Sequence, residues 1–209
     1  FIKRFAAAER RGDGLDEWSG QLVHTMKAVR DAKMKLEDVR VHIGGPHGNL
    51  QVDPASCDHV VLCAGGIGVT PMAAILEDRV RGAKSGAIKP GSKTTLVWTT
   101  RSSAEVAAFS YLFAAIAELD EKTRSSFDVR VHLTGGAKAD PETATQSVKS
   151  VVAMATGRPD FDAVVAGCVA EGKANKVGVY VCGPEALSDA AEAAALRRGC
   201  LVHRETFEF

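Results

Sequence analysis

Four short apolar runs of the type that forms fully buried strands stand at 59–64 (HVVLCA), 94–99 (TTLVWT), 127–133 (FDVRVHL) and 177–182 (VGVYVC). A weaker run follows at 200–203, and helical stretches lie between them at 71–81, 103–119, 141–154, 161–171 and 184–198. The helix starts carry local signals. Ser102-x-x-Glu105 has the form of a capping box. Asp140-Pro141, Gly183-Pro184 and Thr70-Pro71 put proline at a first helical position, where its missing N–H costs nothing. The Gly/Ser/Lys stretch 82–93 reads as a surface loop, and no internal repeat is visible. Strands alternating with helices imply βαβ units with right-handed crossovers. The expected fold is therefore α/β, an open five-stranded parallel sheet, doubly wound, of the nucleotide-binding type. Ligands of such sheets lie beyond the carboxyl ends of the strands.

The N-terminal section has a different character. Residues 1–5 alternate like a strand, and Leu22, Val23, Met26, Val29 and Ala32 have helical spacing within 19–33. Val39–Ile43 alternates again and stops at the turn-like Gly44-Gly45-Pro46-His47-Gly48. This section has no core of its own, so the expected division is 1–50 and 51–209. Phe1 lies inside an apparent strand, so the chain reads as a piece of something longer.

Composition narrows the function classes. Hydrophobic residues make up 45% and charged residues 25% of the 209, which excludes general disorder and collagen-like repetition. Lys+Arg and Asp+Glu are equal at 26 each, so the cationic surplus of a general nucleic-acid binder is missing. No apolar run reaches the ~18 residues of a membrane span, and no signal peptide is visible. The cysteines at 57, 63, 168, 182 and 200 are odd in number and include no C-x-x-C pair, and the six histidines include no H-x-x-x-H pair. That pattern argues against a zinc site or a disulfide framework and fits a reducing compartment.

Chemistry concentrates where the strands end. The run at 59–64 continues into Gly65-Gly66-Ile67-Gly68-Val69-Thr70-Pro71. Gly66-x-Gly68-x-x-Pro71 has the outline of a dinucleotide fingerprint with proline in the third glycine's place. Its glycines would let the backbone approach a pyrophosphate, the following helix would present free N–H groups, and Thr70 would add a hydroxyl. The alternative is a glycine-rich turn without a ligand. It is not a P-loop, because Gly86 to Ser92-Lys93 misses that spacing by one residue. The second strand ends Trp98-Thr99-Thr100-Arg101-Ser102, with Arg101 where an NAD enzyme usually offers an acid to the ribose; arginine suits a 2′-phosphate. A solvated arginine at a helix start is the alternative. The fourth strand ends Cys182-Gly183-Pro184-Glu185. Cys182 would flank a flat ring or be a small buried hydrophobe; no general base lies near it in sequence to make a nucleophile of it. The closing His203-Arg204-Glu205-Thr206-Phe207-Glu208-Phe209 carries two phenylalanines that need a surface to cover, a cofactor or the core.

Together these pieces resemble the ferredoxin–NADP reductase superfamily, most nearly the C-terminal dehydrogenase domain of NADPH oxidases and transmembrane ferric reductases. Gly45-Pro46-His47-Gly48, VLCAGGIGVTPM (61–72), WTTRS (98–102), HLTGG (132–136), GRPDFD (157–162), VYVCGPEAL (179–187) and HRETF (203–207) carry the resemblance over about residues 39–209. GRPDFD and the closing Glu-x-Phe are the more discriminating; GGIGVTP and CGP also occur in cytochrome b5 reductases and flavohaemoglobins. Trp18-Ser19-x-x-Leu22 resembles the family's segment that touches the flavin pyrophosphate. His47 stands where the family usually has Phe or Tyr, two residues follow Phe207, and the family's main flavin motif is absent.

The resemblance implies hydride transfer from NADPH to FAD. Electrons then go to haems in a membrane domain of the same longer chain and on to dioxygen or ferric iron. It implies that Gly65, Gly66, Gly68, Thr70 and Pro71 hold the pyrophosphate, that Arg101 and Arg158 hold the 2′-phosphate, and that Cys182, Gly183 and Pro184 border the nicotinamide. Glu205 would polarise that region, Phe207 would cover the flavin ring, and Trp18 and Ser19 would belong to the flavin side. Residues 1–50 would be the last section of a flavin-binding β-barrel, and the whole would sit at the cytoplasmic face of a membrane. A soluble flavoreductase serving a protein partner and a non-catalytic nucleotide-binding module are the alternatives.

Overall fold

The computed structural model describes residues 18–40, 50–136 and 150–206. The chain divides into two compact units, Phe1–Asn49 and Leu50–Phe209. In the first unit, helix α1 (Trp18–Arg30) ends with Lys27 and Arg30 in its last turn, where cations favour the helix dipole. A 3-10 turn follows at Leu36–Asp38. Val39 and Arg40 have no regular structure. The strand expected at 1–5, the rest of 39–43 and the turn around His47 lie outside the described residues.

The second unit is a six-stranded sheet in which every pairing is parallel. Its strands are β1 (His59–Gly65), β2 (Lys93–Thr100), β3 (Phe127–Leu133), β4 (Val152–Thr156), β5 (Val177–Cys182) and β6 (Leu201–Arg204). The helices are α2 (Val69–Ser85), α3 (Ser103–Ala108), α4 (Ser110–Ala117), α5 (Glu121–Arg124), α6 (Phe161–Ala170) and α7 (Glu185–Leu196). The order β4-β3-β2-β1-β5-β6 means the chain builds outward from β1 to β4, then returns to lay β5 against β1's free side. The connections therefore diverge between β1 and β5, and the mouth of a doubly wound sheet opens at such a point.

Strand alternation sorts the core onto two faces. Val60, Leu62, Ala64, Leu96, Trp98, Val129, Val131, Tyr180 and Cys182 pack with Met72, Leu76, Val106, Phe113 and Ile116 of α2, α3 and α4. Val61, Cys63, Val97, Val177, Val179 and Val181 pack with Phe161, Val165, Ala191 and Ala195 of α6 and α7. Because β1 and β5 are covered on both sides, all their residues are buried and they read as unbroken apolar runs.

The sequence expectations differ from the structure in four places. The sheet has six strands rather than five: β4 occupies 152–156, and its first three residues fall in the stretch expected to be helical through 154. Only Val152 of its five residues is buried, so Ala, Met and Thr on an edge strand carry no alternation to betray it. The helix expected over 103–119 is broken at Phe109, whose ring meets Trp98 edge-on at 5.5 Å. Helix α2 starts two residues early, at Val69, because a 3-10 turn (Gly66–Gly68) feeds straight into it, and it runs to Ser85, four residues into the stretch expected to be a loop, before the left-handed Gly86 ends it; Pro71 is its third residue, and Pro184 stands just outside α7 at its N-cap. The capping box is half formed. Ser102 Oγ accepts from Ala104 N–H at 3.2 Å, but Glu105 bonds the Thr100 hydroxyl, and Thr100 Oγ1 in turn accepts from Ser102 N–H at 3.2 Å.

Candidate nucleotide site

The loops leaving β1 and β5 meet backbone to backbone, and glycine is what lets them. A Cβ on Gly68 would fall 2.2 Å from the Cys182 carbonyl oxygen and 3.1 Å from the Gly183 nitrogen. One on Gly183 would fall 2.9 Å from the Gly65 nitrogen, and one on Gly65 would fall 2.5 Å from Cδ of Pro184. Gly65, Gly68 and Gly183 are thus packing glycines, a role that the motif alone does not reveal.

Gly66 is different. Its φ of +53° is one that L-residues rarely adopt, and nothing lies within 4 Å of where its Cβ would be. Its carbonyl is held from beneath by the Trp98 indole N–H at 3.0 Å, and the Ala64 carbonyl by the Thr99 hydroxyl at 3.3 Å. Helix α2 has no side-chain cap. The Val69 N–H already turns back to the Gly66 carbonyl and Pro71 has none, so what the open loop offers an anion is chiefly the partial positive charge of the helix start. That arrangement fits a pyrophosphate. Thr70 donates its hydroxyl to the Ile67 carbonyl at 2.9 Å, so its proton is turned into the loop.

Arg101, at the end of β2, is exposed and has no hydrogen-bond or ion-pair partner among the described residues. Its aliphatic stem runs beside Gly135, with Cγ and Cδ 3.6 Å from that glycine's ideal Cβ position. Thr134 fixes this neighbour by donating its N–H to the Thr100 carbonyl at 2.9 Å. Arg158, likewise exposed, follows β4 just after Gly157, whose N–H donates to the Leu133 carbonyl at 2.9 Å. The ends of β2 and β4 flank that of β3, so the two arginines rise from backbone about 10 Å apart at the same sheet edge.

On the other side of β1, Cys182 is 1% exposed. Its thiol is pushed up to about 11, first by burial and then by the negative charge of Glu205. The sulfur is therefore protonated at neutral pH and is a small apolar surface, not a nucleophile. Glu205 N–H donates to the Val181 carbonyl at 2.8 Å, which places Glu205 beside Cys182. Ser188 Oγ donates to the Gly183 carbonyl at 3.2 Å and steadies the start of α7. The thiol sets a pH limit. The unfolded Cys182 ionises near 9 and the folded one near 11, so its contribution to stability is intact below 9 and lost as pH climbs through 11. The unfolding midpoint should fall over that window, and Cys182→Ala should flatten part of the fall; an unchanged slope would show that other groups govern it.

Phe207 and Phe209 lie outside the described residues, and of Trp18 and Ser19 only the α1 backbone is described. All five cysteines are free and buried. A cavity of about 210 Å³ between Asp58, Lys89, Lys93 and Glu171 opens at the amino ends of β1, β2 and β5, the end of the sheet opposite these loops. Two of its lysines are already paired, Lys89 with Asp58 at 2.6 Å and Lys93 with Glu171 at 2.9 Å.

The family model described as "Ferric reductase NAD binding domain" matches residues 57–196, from just before β1 to the end of α7. A superoxide-generating NADPH oxidase heavy chain of Dictyostelium discoideum is 27% identical over 190 residues, covering 82% of this chain and 36% of that protein. "NADPH oxidase 1" of Mus musculus is 26% identical over 195 residues, covering 88% and 31%. "Ferric reduction oxidase 8, mitochondrial" of Arabidopsis thaliana is 28% identical over 85 residues, covering 41% and 11%. The chain thus spans about a third or less of these relatives' length. With the match running through β1, α2, β2, β5 and α7, the elements that build the mouth of the sheet, this chain belongs to the ferric reductase NAD-binding domain family.

Proposed function

We propose that this chain is the NADPH-binding part of a flavin-dependent oxidoreductase, passing hydride from NADPH to FAD for onward delivery through haems to dioxygen or ferric iron. The single observation that carries the nucleotide reading is the β1–β5 mouth: an open, positive-φ Gly66 over the uncapped start of α2. The exposed Arg101 at the end of β2 favours the phosphorylated nucleotide. NADPH, when bound, supplies the hydride, and the residues of this chain place it. Gly66 and the first turn of α2 hold the pyrophosphate, with Gly65, Gly68 and Pro71 shaping the loop. Arg101 and Arg158 hold the 2′-phosphate. Cys182, Gly183 and Pro184 present an uncharged edge to the nicotinamide ring, and Glu205 supplies a negative charge beside Cys182. Phe207 covers the flavin until nicotinamide takes its place.

On this reading residues 1–50 are the end of a flavin-binding barrel, with Trp18 and Ser19 on its pyrophosphate side. The flavin and haem portions belong to a longer chain at the cytoplasmic face of a membrane. Among the described residues no helix is long and apolar enough to cross one. The names of the relatives, superoxide-generating NADPH oxidase and ferric reduction oxidase, support the class of reaction and leave both acceptors open. Titration calorimetry with NADPH and NADH tests the reading. NADPH should bind the 209-residue chain and bind it more tightly than NADH, and the preparation should carry no stoichiometric FAD. Failure to bind either nucleotide would overturn the assignment; a yellow preparation would overturn the placing of the flavin site.

A further inference from the structure

His203, on β6 beside Tyr180 of β5, has no place in the reading above, yet it is buried and hydrogen-bonded at both ring nitrogens. Its side chain is 6% exposed. Nδ1 receives the backbone N–H of Gln51 at 3.3 Å, and Nε2 lies 3.1 Å from Glu205 Oε2. A backbone amide only donates, so Nδ1 must be bare and accepting. The ring proton is then on Nε2, directed at the Glu205 carboxylate. The ring is itself packed against Tyr180, with centroids 5.9 Å apart, and the Tyr180 hydroxyl donates to the Val52 carbonyl at 3.0 Å. The segment 51–52 thus fixes both the tautomer and the tilt of the imidazole. Glu205 is half-exposed, and its neighbour Arg204 is drawn away to Asp189 and Glu192 at 2.8 and 2.9 Å. Among the described residues His203 is the one side chain hydrogen-bonded to the Glu205 carboxylate.

We propose that His203 is a positioning residue that aims the Glu205 carboxylate at the nicotinamide end of the nucleotide, with Gln51 N–H fixing its tautomer. The proposal rests on the nucleotide reading above. The oxidised nicotinamide ring carries a positive charge, so a held carboxylate favours it over a free one.

Three probes separate a positioning role from a structural one: NADP⁺, NADPH, and 2′,5′-ADP, which has the adenosine half but no nicotinamide. His203→Asn keeps an acceptor near Nδ1 and loses the donor at Nε2; His203→Gln does the reverse. His203→Asn should weaken NADP⁺ about fivefold, weaken NADPH less, and leave 2′,5′-ADP unchanged. Glu205→Gln should match it, and the double variant should lose no more than either alone. His203→Gln should retain most of the NADP⁺ affinity. The imidazole ¹⁵N spectrum of the unliganded chain should show Nε2 protonated and Nδ1 bare, a readout that needs no nucleotide. Equal losses for NADP⁺ and 2′,5′-ADP, additive effects of the two substitutions, or the opposite tautomer would overturn the proposal while leaving the nucleotide reading standing. A parent chain that binds none of the three probes overturns the nucleotide reading and this role with it.

Discussion

Gly68→Ala is expected to disrupt the fold of the second unit, whereas Gly66→Ala, two residues away, is expected to keep the fold and lose the nucleotide. Gly68 has φ −59° and ψ −7°, a conformation any residue adopts, so backbone preference does not explain its glycine. Space does. The added Cβ would lie 2.2 Å from the Cys182 oxygen and 2.6 Å from its carbonyl carbon, and both are backbone atoms of a central strand. Neither can turn aside as a flexible side chain would. β5 is bonded to β1 on one side and β6 on the other, so it holds its place and relief means displacing the Gly66–Gly68 turn and the start of α2. Overpacking a core usually costs about 1–3 kcal/mol, and a contact against two fixed backbones belongs at or above the upper end. A loss of ~3 kcal/mol is a large part of the ~5–15 kcal/mol that stabilises an ordinary domain. At Gly66 the space is open and only the conformation resists, at roughly 1–2 kcal/mol for a left-handed alanine. Its methyl group would stand where the backbone must approach the pyrophosphate. Chemical denaturation and nucleotide titration of the two variants should give opposite patterns. If Gly66→Ala binds like the parent, the loop does not cradle phosphate.

The two glycines also mark how far sequence reasoning reaches. The spacing Gly66-x-Gly68 locates the loop, burial on both faces leaves β1 and β5 as unbroken apolar strings and β2 as a nearly unbroken one, and β3 is legible from the alternation of Val129, Val131 and Leu133 with polar residues. Telling a packing glycine from a ligand-facing one needs the partner loop. For Gly68 that loop is Cys182-Gly183, more than a hundred residues away, brought near only by the return of the chain to β5's place. β4 was hidden because its exposed edge leaves VAMAT without alternation. Arg101 stands out in the sequence by its place after β2, but its neighbour, the Gly135 backbone at the end of β3, depends on strand order. The surroundings of His203 are illegible in the sequence for the same reason. Its defining partner is the N–H of Gln51, a backbone group with no sequence signature, 152 positions distant.

Arg101→Ala is expected to erase most of a preference for NADPH over NADH while leaving NADH affinity and stability nearly unchanged. The stability half follows from the surroundings. Arg101 is exposed, has no partner among the described residues, and touches Gly135 only along its stem. Surface substitutions of that kind fall within about ±0.5 kcal/mol. Glu105, the nearest acid in sequence, is bonded to the Thr100 hydroxyl and does not hold the guanidinium in place of a phosphate. The affinity half follows from charge. A charge-assisted hydrogen bond is worth roughly 1.5–3 kcal/mol, or about ten- to a hundredfold. NADH lacks the 2′-phosphate and has nothing to lose. Arginine's planar fork also predicts that Arg101→Lys restores only part of the preference. If Arg158 holds the same phosphate from the end of β4, Arg158→Ala should act in the same direction. The double variant should then fall short of the sum of the two losses, because the first removal loosens the shared phosphate. Salt gives an independent check: screening at an exposed site should erode the preference of the parent and barely affect Arg101→Ala. Calorimetric titrations with both nucleotides at low and high ionic strength read all of these. Equal loss for NADPH and NADH on replacing Arg101 would place the residue elsewhere on the nucleotide. A preference left intact would transfer the phosphate to Arg158 alone.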